Sequence, residues 1–334
     1  MKCVKVPLRQ LNDTRLKLME NGLMNMEYKI KAGDDFGYIP INEDIEGYTI
    51  VDIELEAIKK VPHNFSELLE DELTEEEIED LRTSFDTIGD VVILEIPDKL
   101  LDKKFKIGEA ALKFTKRKAI YMKKSAVKGT TRVRDLEFLA GEDDSVTIHK
   151  EHGARLKLDV REVYFSPRLA TERKRVMESV EDGEKILDMF CGIGPFPIVI
   201  ARNRNVDITA VDINESAIEY LNENIQLNKL KGNIHTYCGD VREVSKSFKT
   251  KFDRIIMNLP GLAYTFLDVS ADLIEDGGII NYYEFSDSYE QGQKRLKEAC
   301  SKVGKEVEII NCRKVKSTSP GEWHMAIDGK ITKK

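Results

Sequence analysis

The stretch Lys185 to Phe196, KILDMFCGIGPF, constrains the fold most, because an apolar run here ends in an acid and breaks at once into a turn with two glycines. Ile186, Leu187, Met189 and Phe190 read as a buried strand of a parallel sheet, and Pro195 suits the first position of a following helix. Gly192 and Gly194 permit positive φ and let backbone N–H groups approach a ligand beside the positive end of the helix dipole. A polar, elongated ligand fits such a turn. An ordinary strand-to-helix connection has the same pattern, so the neighbouring strands decide between the two.

Val206 to Asp212 reads as a second strand ending in a carboxylate, where open α/β sheets place the group that holds ribose hydroxyls. Asn214 stands at the N-cap of the next helix. Ile234 to Tyr237 reads as a third strand running into Cys238-Gly239-Asp240, an acid placed to accept from an adenine amino group. Asp188, Asp212 and Asp240 therefore lie at or near the C-terminal ends of successive strands. A dinucleotide fingerprint requires a third glycine where this chain has Pro197, and Asp188 would repel a pyrophosphate. A sulfonium with an amino-acid tail suits that carboxylate. The pattern resembles the class I (Rossmann-like) methyltransferases that use S-adenosylmethionine; an NAD-type oxidoreductase is the alternative from another class.

The remaining periodicity fits that α/β fold. Phe252–Asn258 and Gly278–Glu284 read as further strands, Ser286–Val303 as a helix, and Val307–Lys314 with Trp323–Asp328 as a closing pair. This methyltransferase domain spans 161–334, preceded by two smaller α+β domains. In the first, 1–62, a strand at Lys2–Val6 leads to a helix from Leu8 to Asn21 stopped by Gly22, then to strands around Tyr28–Lys31 and Tyr38–Ile41. Val61-Pro62-His63-Asn64 reads as a linker. In the second, 66–160, an acid-rich helix from Ser66 to Asp80 precedes a buried strand Val91–Ile96, a helix Asp98–Phe114, and a hairpin Thr147–Val160 turning at His152-Gly153.

Composition narrows the partners. No apolar run approaches a membrane span, the five cysteines show no paired spacing, and His149 and His152 lack the company a metal needs, so a cytoplasmic protein with free thiols and no metal is expected. The net charge of −8 opposes nucleic-acid binding overall, but it is unevenly spread. Nine bases and no acid occur between Lys113 and Arg134, interleaved with Phe114 and Tyr121. Lys116, Arg117, Lys123, Lys124, Lys128 and Arg134 form a candidate phosphate-contacting stripe.

The strand-four loop, Asn258-Leu259-Pro260, faces the methyl acceptor in this fold. It lacks the cysteine of covalent cytosine C5 chemistry. A ring nitrogen that carries a proton needs a base within reach as the methyl arrives, and Glu172, in Tyr164-Phe165-Ser166-Pro167-Arg168-Leu169-Ala170-Thr171-Glu172-Arg173, is the candidate. Together with Arg132-Val133-Arg134, Glu137 and Leu139 to Glu142, these motifs resemble the archaeal and eukaryal tRNA (guanine-N1)-methyltransferases, which act on the guanosine 3′ of the anticodon. The resemblance covers nearly the whole chain. It implies Glu172 as general base, Arg132 as the group stabilising charge on guanine O6, Asn258, Pro260 and Tyr164 around the target base, and tRNA as partner through its anticodon stem-loop and outer corner. It further implies a cofactor site of Asp188, Phe190, Gly192, Gly194, Asp212, Asp240, Asn258 and Arg168. No protein partner is expected. The nearest rival is the wybutosine-pathway enzyme that transfers an aminocarboxypropyl group to a modified guanosine.

Overall fold

A computed structural model describes residues 1–58, 62–124, 135–319 and 321–334. The chain divides into two compact units at His63/Asn64, within the expected linker. In the first, β1 (Lys2–Pro7) pairs antiparallel with β3 (Phe36–Pro40) and with β4 (Thr49–Asp52), and α1 (Leu11–Glu20) and β2 (Lys31–Ala32) complete the module. Val4, Val6, Leu18, Ile39 and Ile41 form its core. Gly22 takes φ +67° after α1, the left-handed stop that its position suggested. β4 is an addition to the sequence reading; its TIVD alternates too briefly to stand out from the surrounding acids.

The second unit opens differently from expectation. Instead of one helix over 66–80, Asn64 caps a single 3-10 turn at Phe65–Leu68, and a new helix, α2 (Glu75–Asp80), starts from a capping box in which Thr74 and Glu77 satisfy each other's backbone. The Thr74-x-x-Glu77 spacing carries that signal; Ser66 is not the cap. Then follow β5 (Asp86–Ile88), β6 (Val91–Leu94), α3 (Lys104–Thr115), β7 (Ala119–Lys123) and β8 (Leu136–Gly141), forming a four-stranded sheet in which β6 and β7 run parallel. Val92, Leu94 and Ile120 face α3, while Val91, Ile93 and Tyr121 face the other way. That second face joins one core with β9 (Val146–Glu151), β10 (Ala154–Asp159) and residues of the glycine-turn domain such as Ile198 and Leu221, so the hairpin ties the middle sheet to the C-terminal one. The hairpin turns at His152 and Gly153, both with positive φ (46° and 79°).

The C-terminal part runs α4 (Ala170–Ser179), β11 (Lys185–Asp188), α5 (Pro195–Asn203), β12 (Asp207–Asp212), α6 (Glu215–Leu227), β13 (Asn233–Cys238), α7 (Val241–Val244), β14 (Phe252–Met257), α8 (Leu267–Leu273), β15 (Ile274–Ser286), α9 (Glu290–Lys302), β16 (Lys305–Ser319) and β17 (Glu322–Lys333). The sheet order is β13-β12-β11-β14-β15-β17-β16, parallel except for β17, which pairs antiparallel with both neighbours. The order reverses beside β11, where β14 takes the other side, and a crevice opens there at the strand C-termini. α9 begins at Glu290 rather than Ser286, because β15 continues to Ser286 against Trp323. All five cysteines are free thiols.

Candidate active site

β11 ends in Asp188, and the chain then turns through Gly192 (φ 51°) and Gly194 (φ 82°) into α5, whose first residue is Pro195. The two glycines serve different needs. A Cβ at position 194 would overlap Leu221 Cδ1 of α6, so this glycine is fixed by packing as well as by φ; Gly192 has open space and lines the crevice. Asn224, fully buried on α6, donates to the carbonyls of Ile193 and Lys157 (both 3.1 Å) and so staples the loop to β10. Asp212 Oδ2 accepts from Gly192 N at 2.7 Å and Oδ1 from Asn214 N at 3.0 Å, which locks the second strand's end to the turn. Asn214 occupies the N-cap of α6, but its side chain donates to Glu162 O instead of capping.

Around this turn lies a cavity of about 360 Å³. Of the sequence candidates, Tyr164, Phe190, Gly192, Asp212, Asp240, Asn258 and Pro260 line it. Gly194 and Asp188 stand just behind. Asp188 is 1% exposed; burial first, and then the charge of Asp212, pushes its carboxyl up to about 8, despite a hydrogen bond from Phe190 N. Its Oδ2 is buried and has no hydrogen-bond partner among the described residues. A cation nearby would satisfy it. Asp240 caps α7 and is held below its usual range first by the Arg242 side chain.

Three expectations are revised. Arg168 does not line the cavity: its Nε donates to Asp86 at 2.6 Å, so it braces the middle sheet and is not in the cofactor wall. Glu172 also lies behind the wall. It is 1% exposed, accepts from Tyr283 Oη at 2.8 Å and from Arg175 at 2.7 Å, and has Arg313 at 3.5 Å; Arg175 continues to Asp328. The basic stripe is interleaved in space with acids from other parts of the middle domain. Lys118 pairs with Asp144, Arg117 lies 3.5 Å from Asp90, Lys124 4.0 Å from Glu137, and Lys123 sits between Asp86 and Glu95 at 3.6 and 3.8 Å. Lys116 is exposed at the left-handed C-cap of α3. Arg132, Arg134 and Lys128 lie outside the described residues.

The structure adds wall residues that the sequence did not single out. Phe285 of β15 and Lys316 and His324 of β16 and β17 close the end next to Asn258-Leu259-Pro260. Asn258 Oδ1 is buried and, among the described residues, has no hydrogen-bond partner. His324, 2% exposed, packs edge-on against Tyr283 and Phe285. A histidine set between Trp323 and the apolar run Met325–Ile327 was its one available signal. Arg173 lines the wall too, clamped by Glu151 (2.5 Å) and set over the ring of Phe165. Burial pushes Glu151 up, but Arg173 and His149 outweigh it and hold the carboxyl at about 2.

Comparison with known proteins matches the whole arrangement. A family model described as the TRM5/TYW2 methyltransferase domain matches residues 147–310, the TYW2 N-terminal domain matches 65–144, and the tRNA methyltransferase 5 N-terminal domain matches 3–49. The tRNA (guanine(37)-N(1))-methyltransferase Trm5b of Pyrococcus abyssi is 42% identical over 333 residues, covering 98% of each chain. A solved complex of aTrm5 and tRNALeu superposes with a TM-score of 0.88 at 39% identity, covering 99% of this chain and 100% of that one. The tRNA(Phe) (4-demethylwyosine(37)-C(7)) aminocarboxypropyltransferase of Methanocaldococcus jannaschii is 35% identical and covered over 97% of its length, but it matches only 74% of this chain.

Proposed function

Because the chain belongs to the TRM5/TYW2 methyltransferase family, on the side of the tRNA (guanine(37)-N(1))-methyltransferases, we infer that it transfers the methyl group of S-adenosylmethionine to N1 of the guanosine immediately 3′ of the anticodon, position 37 of tRNA. One observation carries the choice of branch. The methyltransferase relative aligns from end to end, including the module at 3–49, whereas the aminocarboxypropyltransferase is nearly used up by three quarters of this chain.

The residues present fit the cofactor. Asp188, with its unsatisfied buried oxygen, suits a cationic amino or sulfonium group, Asp212 and the Gly192 turn suit the ribose, and Asp240 and Phe190 suit the adenine. When bound, S-adenosylmethionine supplies an electrophilic methyl carbon on a sulfonium sulfur. The chain's part is to hold guanine N1 in line and take its proton. Asn258 offers a buried acceptor to a guanine N–H, with Pro260 and Tyr164 on the walls. Glu172 is the proposed proton acceptor; to act so, its carboxylate leaves Tyr283 and Arg175 when the base enters, or receives the proton through the Tyr283 hydroxyl that already donates to it. By family resemblance, Arg132 stabilises charge developing on O6. The 3–49 module would reach the tRNA outer corner, and a tRNA substrate supports the reading of a cytoplasmic enzyme.

Incubation with methyl-labelled S-adenosylmethionine and an unmodified transcript should yield 1-methylguanosine, abolished when guanosine 37 is replaced by adenosine. Aminocarboxypropyl transfer to a modified guanosine, without methylation, would overturn the assignment. Phosphate contact should fall more on exposed Lys116 and Lys124 than on Lys123, which is held between two carboxylates. Replacing Lys116 and Lys124 by alanine should lower the salt dependence of tRNA binding by about one to two ions. An unchanged slope in a salt titration would remove them from the interface.

A further inference from the structure

The rim beside the catalytic loop carries a device that neither cofactor holding nor proton transfer uses. After Asn258–Gly261 the chain makes a 3-10 turn, Ala263–Phe266, whose side chains point two ways. Phe266 lines the cavity, edge-on to Phe190 with centroids 4.9 Å apart and with Arg242 over its ring. Tyr264 turns outward and is 44% exposed; Leu262, which lines the cavity, is 48% exposed. The guanidinium of Arg295 lies over the Tyr264 ring, 4.5 Å from its centroid. Arg295 Nη1 in turn donates to Glu284 Oε2 at 2.9 Å, and Tyr282 Oη donates to the same oxygen at 2.7 Å.

Glu284 is 1% exposed, and its other oxygen is buried with no hydrogen-bond partner among the described residues. Burying a carboxylate to hold an arginine that is itself one-third exposed is a poor route to stability. It does fix the arginine. With the guanidinium held on one face of Tyr264, the ring is oriented and its exposed area is left for something else.

We propose that Leu262, Tyr264 and Arg295 form a stacking platform for a nucleotide that flanks the target guanosine, its base on the open face of Tyr264 and its phosphate toward Arg295. The proposal rests on the tRNA methyltransferase reading above. A base drawn out of its stack into a cavity leaves its neighbours without a partner. An exposed aromatic ring at the rim replaces that partner for any base, and a cation against the ring strengthens the site.

The test places 2-aminopurine at each flanking position in turn and follows fluorescence as the full-length protein binds the tRNA. At one position the wild type should quench the probe. Tyr264→Phe should retain the quenching, and Tyr264→Ala should lose it and weaken tRNA binding by about tenfold. Cofactor affinity should stay unchanged, and the alanine and wild-type proteins should bind equally when that nucleotide is abasic. Equal quenching and equal affinity for wild type and Tyr264→Ala would overturn the platform. These readouts do not require turnover. A wild type that binds but forms no 1-methylguanosine would sink the parent reading; a wild type that methylates while Tyr264→Ala binds tRNA normally sinks only the platform.

Discussion

The two ends of the cavity are assembled differently. At the cofactor end, the ligand-facing groups come from consecutive strand ends between Asp188 and Asp240, and the backbone itself locks them: Gly192 N to Asp212, Asn214 N to Asp212, Phe190 N to Asp188. The target end draws on Tyr164 to Arg173, Asn258 to Leu262, Phe285, Lys316 and His324, with the proposed base one layer behind the wall. The first end is set mainly by one contiguous stretch of chain, tied to what precedes it through Asn224 to Lys157 and Asn214 to Glu162. The second depends on β17 running antiparallel between β15 and β16, which alone brings His324 beside Phe285 and Lys316. Binding of the donor and presentation of the acceptor are therefore separable, and variants should split them.

The largest expected effect is at the target end. Glu172→Gln keeps the shape of the side chain and an acceptor for Tyr283, yet cannot take the guanine proton. Single-turnover methyl transfer should fall by about a hundredfold or more, with the cofactor dissociation constant unchanged. A rate within about threefold of wild type would show that the base lies elsewhere, and the imidazole of His324 in the wall would become the residue to examine. At the other end, Asp212→Ala removes the carboxylate that joins the Gly192 N–H to the second strand. Cofactor affinity should weaken by about tenfold or more, while transfer at saturating cofactor stays near wild type. Loss of both together would contradict the separation of the two ends.

This contrast also explains what the sequence revealed. Pro195 after two glycines, and acids ending successive strands, are local signals, and the strand-turn-helix unit and the cofactor end follow from them. So does the both-sided burial of Val91 to Leu94, read from an unbroken apolar run. Glu172 was singled out from chemistry, but its position behind Tyr283 depends on Arg175 and Asp328, 153 positions apart, and no local pattern encodes that pairing. Arg168, read as a cofactor residue, stands outside the cavity lining for the same reason: its partner, Asp86, belongs to another sheet. The apparent purity of the basic stripe had the same origin, since periodicity along one strand cannot show the Asp86 and Glu95 that flank Lys123 in space.

The smallest effect expected from this contrast is a pH dependence confined to the cofactor end. In the free protein, burial and the neighbouring Asp212 charge keep the Asp188 carboxyl protonated up to about pH 8. A carboxyl whose folded pKa is raised stabilises the fold fully below its unfolded value near 4, and that contribution is lost as pH rises through about 8. A cationic ligand at Asp188 favours the ionised form, so binding should release a fraction of a proton below pH 8. Affinity for S-adenosylmethionine should rise severalfold from pH 6 to 8 and level off above it, and Asp188→Asn should flatten the dependence. Calorimetric titration in buffers of different ionisation enthalpy counts the proton directly. Proton uptake on binding, or an equal slope in the asparagine variant, would remove Asp188 as the titrating group. A matching slope in tRNA affinity measured without cofactor would show the two ends to be electrostatically coupled after all.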